Sequence, residues 1–124
     1  MRFIPTRIHG MLDYPMGVIL IAAPYVLGFA DGTAAQYVPM VLGVAILLLS
    51  LVTRYELGAV PLISMQVHLM ADVAAGVVLA ISPFLFGFSG RVWVPHVVLG
   101  LLEIGAGLMT RTAPDEPGEL RSVP

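Results

Sequence analysis

The chain has 124 residues, 58% of them hydrophobic and only 11% charged, and its mean hydropathy is +0.93. Soluble domains carry about 25% charged residues, so these side chains cannot cover a water-soluble globule and point to a membrane protein. The absence of cysteine excludes disulfides, thiolate metal sites and thiol redox chemistry, and a net charge of −2 offers nothing to nucleic acid or to a polybasic lipid contact.

Residues 1–4 form a short lead-in. Arg2 and Arg7 could make the basic region of a signal peptide, but a duplicated pattern begins at His9, so the segment is expected to be retained. Pro5 suits the first turn of a helix, and the first helix is predicted from about Pro5 to Phe29. From Tyr14 to Ala30 it carries no charge. At ~1.5 Å per residue such a helix reaches ~35 Å, enough for a hydrocarbon core of ~30 Å. Pro15 and Pro24 lie inside it, so a kink is expected near Leu20 to Pro24.

Asp31-Gly32-Thr33 reads as a turn. A second helix is predicted from about Gln36 to Thr53, ended by Arg54-Tyr55-Glu56, and Gly58 and Pro61 break the linker that follows. A third helix runs from about Leu62 to Phe88, Ser89-Gly90-Arg91 turns, and a fourth runs from about Trp93 to Thr110. The segment 112–124, with Pro114, Pro117 and three acids, reads as a disordered cytoplasmic tail.

Two patterns recur. His9-Gly10-Met11-Leu12-Asp13 with Gly17 returns as His68-Leu69-Met70-Ala71-Asp72 with Gly76. Ala23-Pro24-Tyr25 with Gly28-Phe29 returns as Ser82-Pro83-Phe84 with Gly87-Phe88. After a two-residue deletion in the turn, Gly43 aligns with Gly100 and Thr53-Arg54 with Thr110-Arg111. The expected fold is therefore an all-α membrane protein. Its four transmembrane helices form two tandem hairpins, related by a pseudo-twofold along the membrane normal. The first repeat covers 1–54, the linker 55–62 and the second repeat 63–111. Arg2, Arg7, Arg54, Arg111 and Arg121 fall on one side of this arrangement and Arg91 on the other, which places both termini in the cytoplasm of a multi-pass inner-membrane protein. Tyr25, Phe29, Tyr37, Phe84, Phe88 and Trp93 collect at the outer boundary, where amphipathic rings are favoured.

At Ala23-Pro24-Tyr25 and Ser82-Pro83-Phe84 the chain resembles the SPW-repeat family of small bacterial integral membrane proteins, named for a Ser-Pro-Trp motif in the first of two helices per repeat. The resemblance covers roughly residues 8–111. The serine is present only in the second copy, and Tyr25 and Phe84 stand where the family has Trp. The resemblance implies a four-helix membrane protein and brings no activity with it.

His9, Asp13 and Gly17 share one helix face at i, i+4 and i+8, as do His68, Asp72 and Gly76. Ionisable groups inside membrane spans face the bundle interior or water. The leading reading is structural: Asp13–Arg54 and Asp72–Arg111 pair within each hairpin, and the glycines allow close helix approach. The protein is then a non-enzymatic structural or partner-binding component without a cofactor. A second reading makes His9 and His68 axial ligands of a haem, or joins His9, Asp13, His68 and Asp72 around a transition metal. A third reads Glu103, mid-helix opposite Ile46 in the repeat, with His96 two turns before it, as an intramembrane acid of a proton-coupled transporter of small solutes. The bilayer is the expected partner, and a homo-oligomer or a membrane protein partner stays open. No phosphate loop, Ser/His/Asp set or nucleotide fingerprint is present.

Overall fold

The structure, a computed structural model, describes residues 2–113. The tail expected to be disordered lies, from residue 114 onward, outside the described residues. Among the described residues the fold has four α-helices: α1 (Thr6–Val26), α2 (Ala34–Leu51), α3 (Met65–Leu85) and α4 (Val94–Met109). Helices α2 and α3 are long and apolar enough to cross a membrane, and α4 is a shorter apolar helix.

Each predicted helix exists, with ends set by local chemistry. α1 and α3 stop earlier than hydropathy suggests because Gly28 and Gly87 adopt left-handed φ values of +80° and +74°. The next amides then turn back: Phe29 N–H donates to Pro24 O at 2.8 Å and Phe88 N–H to Pro83 O at 2.9 Å. This six-to-one bond closes a helix with a glycine and tucks the following apolar side chain inward. Phe29 and Phe88 are accordingly buried, in one cluster with Ala23 and Ala35. α2 begins at Ala34, two residues before its predicted start, because the Thr33 side chain caps it by accepting from Ala35 N–H. α3 begins at Met65, after Ser64, whose Oγ accepts from Val67 N–H at 3.2 Å.

α2 and α4 end one to two residues early for a different reason. Their last residues leave the helix to pair with the lead-in of the opposite hairpin. Thr53 bridges to Ile63, and Thr110 bridges to Ile4, both in parallel sense. Arg54 N–H donates to Ile63 O at 2.7 Å, and Arg111 N–H to Ile4 O at 2.9 Å. These short pairings lock the two hairpins together at one end of the bundle.

Glycine sets how closely the helices of each hairpin approach. A Cβ on Gly43 would lie 2.7 Å from Gly17 O, and one on Gly100 would lie 2.7 Å from Gly76 O and from Ala80 N. Backbone atoms cannot yield as a flexible side chain can, so these crossings require glycine. Beyond them, Leu20, Ile46 and Leu79 form the central apolar cluster.

The Pro positions also have a local solution. Pro83 lacks an N–H, which leaves Leu79 O without its helical donor. Ser82 Oγ–H donates to that carbonyl at 2.7 Å. The Ser-Pro pair is thus self-compensating, as a buried helix segment requires. Ala23 precedes Pro24 in the first copy and has no such hydroxyl.

Polar and apolar side chains are distributed inside out relative to a soluble protein. His9, Asp13, His68, Asp72, His96 and Glu103 are buried. Val18, Val41, Leu48, Met70 and Leu101 stand on the outside.

Candidate functional site

The buried polar residues concentrate where the hairpins clasp. His9 and Asp13 lie one turn apart on α1, His68 and Asp72 one turn apart on α3, and each imidazole reaches both carboxylates. His9 Nε2 lies 3.0 Å from Asp13 Oδ1 and 2.8 Å from Asp72 Oδ2. His68 Nε2 lies 2.7 Å from Asp13 Oδ2 and 3.0 Å from Asp72 Oδ2. The imidazole rings meet edge to face, with centroids 5.4 Å apart. All four residues are fully or almost fully buried.

A second ring of contacts fixes which nitrogen points inward. His9 Nδ1 sits 2.8 Å from Thr110 Oγ1, and His68 Nδ1 sits 2.7 Å from Thr53 Oγ1. Each threonine donates its own proton to a helix carbonyl, Thr110 to Ala106 O and Thr53 to Leu49 O, both at 2.6 Å. The hydroxyl is therefore left to accept, so Nδ1 carries a proton and Nε2 faces the carboxylates. The threonines hold this place because the interhairpin backbone pairs at Thr53–Ile63 and Thr110–Ile4 end α2 and α4 beside the imidazoles.

With Nδ1 protonated, two charge arrangements satisfy the centre. Two imidazolium cations can donate Nε2–H to two carboxylates. Alternatively, two neutral imidazoles and two carboxylates can turn their lone pairs onto one divalent cation. Both leave a net charge of zero, which a buried site demands. One ligand atom from each of His9, Asp13, His68 and Asp72 can be chosen so that all four lie within 4.8 Å of one another. A tetrahedral zinc site with bonds of about 2.0–2.2 Å has ligand–ligand edges of about 3.3–3.6 Å. That lies between the shortest contacts seen here and the 4.8 Å limit.

The two halves of the site are not identical. Ser50 Oγ–H approaches Asp13 Oδ2 at 3.4 Å. Gly107 occupies the corresponding place near Asp72, whose Oδ1 has no hydrogen-bond partner. Glu103, replacing Ile46, is also buried, and its Oε2 is unpartnered. It shares with Asp13 the lining of a groove of ≈ 450 Å³ between α1 and α4.

The expected pairing of aspartates with arginines is not what forms. Arg54 is exposed and its Nε–H donates to Pro61 O at 3.0 Å, while the ion pairs of Asp13 and Asp72 run to the two histidines. The physical reason is register. Thr53 and Thr110, each one residue before the arginine, turn inward, which directs the arginines out to the end of the bundle. His96 does not join Glu103. Its Nε2–H donates to Ala35 O at 2.8 Å, and its ring lies between Phe29 and Phe88 at centroid distances of 5.1 and 4.8 Å. Sequence reasoning missed Thr53 and Thr110 as contributors, although their duplication beside the arginines was visible.

An all-helical fold with apolar outer faces, two helices long and apolar enough to cross a membrane and an interior of histidines and carboxylates is consistent with a small membrane protein. The chain belongs to the SPW repeat domain family, whose model matches residues 7–110. Neither a curated protein nor a solved structure matches the chain.

Proposed function

We propose that the protein is a four-span membrane protein that binds one divalent first-row transition ion, zinc(II) foremost, between its two hairpins. The observation that carries this reading is the convergence of His9 Nε2, His68 Nε2 and the carboxylates of Asp13 and Asp72, each imidazole backed by a threonine that fixes its tautomer. Two nitrogens and two oxygens in a compact set suit zinc and its borderline neighbours better than calcium or magnesium, which prefer more oxygen ligands. Haem is disfavoured, because imidazoles in edge-to-face contact leave no space for a macrocycle between them.

The topology belongs to the same proposal. Four spans, with hairpins related by a pseudo-twofold along the membrane normal, would place both histidines at one depth, near the side where the arginines gather. The positive-inside rule makes that side cytoplasmic, with both termini. The burial of polar groups and exposure of apolar ones support a lipid surround.

Metal binding to a doubly protonated quartet must release protons, about two per ion. The test is calorimetric titration of zinc into detergent-purified protein in buffers of different ionisation enthalpy, with elemental analysis. One ion per chain with about two protons released, abolished in His68→Gln, is the expected result. A chain that takes up none of zinc, manganese, iron or cobalt overturns the reading. The second reading, a purely structural clasp of ion pairs, rests on the 2.7–3.0 Å His–Asp distances, which are those of charge-assisted hydrogen bonds.

A further inference from the structure

The two flanks of the bundle are built differently. On one, the linker carries the chain from α2 to α3, and Tyr55 and Leu57 fold back over α1, where a Cβ on Gly10 would meet both at 2.6 Å. On the other, α1 and α4 are tied at one end through the Ile4–Thr110 pair and through Arg2, whose Nη1–H groups donate to Gly107 O and Thr110 O at 3.0 and 2.7 Å. Beyond that tie the helices part, leaving the ≈ 450 Å³ groove. Leu12 and Met16 line one wall, and Leu101 and Met109 the other. Leu12 is 50% exposed and Leu101 57%, so the groove opens on the apolar perimeter of the bundle rather than at its ends.

Among the described residues, Asp13 and Glu103 are the polar side chains in this lining, and no basic or amide side chain joins them. Asp13 is taken up by the two histidines. Glu103 is 3% exposed, and its Oε2 has no partner. In the repeat, Ile46 fills the equivalent position inside the apolar core. The second half therefore carries a carboxyl group that packing does not call for, beside a groove open on the apolar side.

We propose that this groove binds an amphiphilic amine entering laterally from the bilayer, its apolar body along Leu12, Met16 and Leu101 and its ammonium head on the Glu103 carboxylate. An N–H donor meets the Glu103 carboxylate, and the opposite charges neutralise each other in a medium of low dielectric. An anionic head would instead face two carboxyl groups. The inference rests on the groove and Glu103 alone and does not depend on a metal at the histidines.

The test uses the full chain in phosphatidylcholine nanodiscs. A hydrophobic carbodiimide, which partitions into the bilayer and modifies buried carboxylic acids, is allowed to label the protein, and modification of Glu103 is read by mass spectrometry. Decylamine at neutral pH is the probe and decanol its uncharged match. Decylamine is expected to slow Glu103 labelling by about tenfold at a membrane fraction where decanol leaves it unchanged, the discrimination a charged hydrogen bond supplies. Binding of isotopically labelled decylamine, followed by NMR, is expected to vanish in Glu103→Ile, which installs the residue of the first repeat, and that variant should elute as the wild type does. Three results would each overturn the proposal: no labelling of Glu103, equal protection by decanol, or decylamine binding that survives Glu103→Ile.

Discussion

The two repeats share one frame of recurring residues and differ at several buried positions where a polar group stands in one copy alone. His9 and His68, Asp13 and Asp72, Thr53 and Thr110, and the glycine pairs at the helix crossings are all kept, because each makes the same contact in both halves. Ala23 faces Ser82, Pro39 faces His96, Ile46 faces Glu103 and Ser50 faces Gly107. Three of these four differences place a polar group in the second half, two of them on α4. The shared residues build the clasp, and the differing ones make one flank of the bundle chemically unlike the other. Residues common to both sequence copies thus serve stability, and those that differ between them are free to serve specificity.

The clasp should be the most sensitive feature. Removing one charge from a buried pair leaves its partner uncompensated, at about 3–5 kcal/mol. Asp13→Asn and Asp72→Asn are each expected to destabilise the metal-free protein by about that amount in reversible unfolding from mixed micelles. The double variant should lose less than the sum, because both carboxylates serve the same two imidazoles. Additive losses would mean two independent pairs rather than one quartet.

Helix crossings come next. Gly43→Ala and Gly100→Ala each drive a methyl group against backbone, and overpacking of this kind costs about 1–3 kcal/mol. Gly105 on α4 is the control, since a Cβ there meets nothing within 4 Å. Gly105→Ala is expected to be neutral or to stabilise by up to about 1 kcal/mol through helix propensity. Equal losses at Gly100 and Gly105 would show that the crossing geometry is not what selects glycine.

How legible this was depends on the kind of signal. Four helices followed from apolar runs punctuated by Gly-Phe and Asp-Gly-Thr turns. Helix ends were read too long because hydropathy does not see φ: Phe29 and Phe88 are apolar, yet each follows a left-handed glycine and folds back. The quartet was visible as His and Asp at i, i+4 in both copies. Its assembly was not, because charge complementarity pointed to Arg54, whereas the backbone pair at Thr53–Ile63 turns the threonine inward and the arginine out. That pairing joins segments from opposite hairpins and leaves no local periodicity to read. The unpartnered state of Glu103 is likewise a property of packing, although its contrast with Ile46 marked the position.

The Ser-Pro difference offers a smaller and cleaner comparison. Ser82→Ala removes the donor to Leu79 O and is expected to cost about 0.5–1.5 kcal/mol, the net value of one buried hydrogen bond. Ala23→Ser should gain a fraction of this in the first copy if its hydroxyl finds Leu20 O. Thermal melting of the two variants and their combination reads both signs. A neutral Ser82→Ala would mean that the carbonyl freed by Pro83 is satisfied in another way.

The smallest effect lies at the opposite end of the bundle from the clasp, where Arg91 of the second turn pairs with Asp31 of the first. Asp31 also accepts from the Thr33 hydroxyl at 2.6 Å and from Thr33 N–H at 3.0 Å. The Thr33 hydroxyl, then the Thr33 amide and the Arg91 charge, hold the Asp31 carboxyl below the usual carboxylate range. A carboxyl whose folded value is lowered contributes stability above its unfolded value of about 4 and loses it as pH falls through the folded value. The difference in melting temperature between wild type and Asp31→Asn should therefore be present at neutral pH and shrink below about pH 4. Added salt should shrink it too, because the pair is solvent-exposed and screened. Asp72→Asn should respond differently, since a buried quartet is shielded from salt. A salt-insensitive Asp31 effect would assign its role to the Thr33 turn rather than to the contact between the two halves.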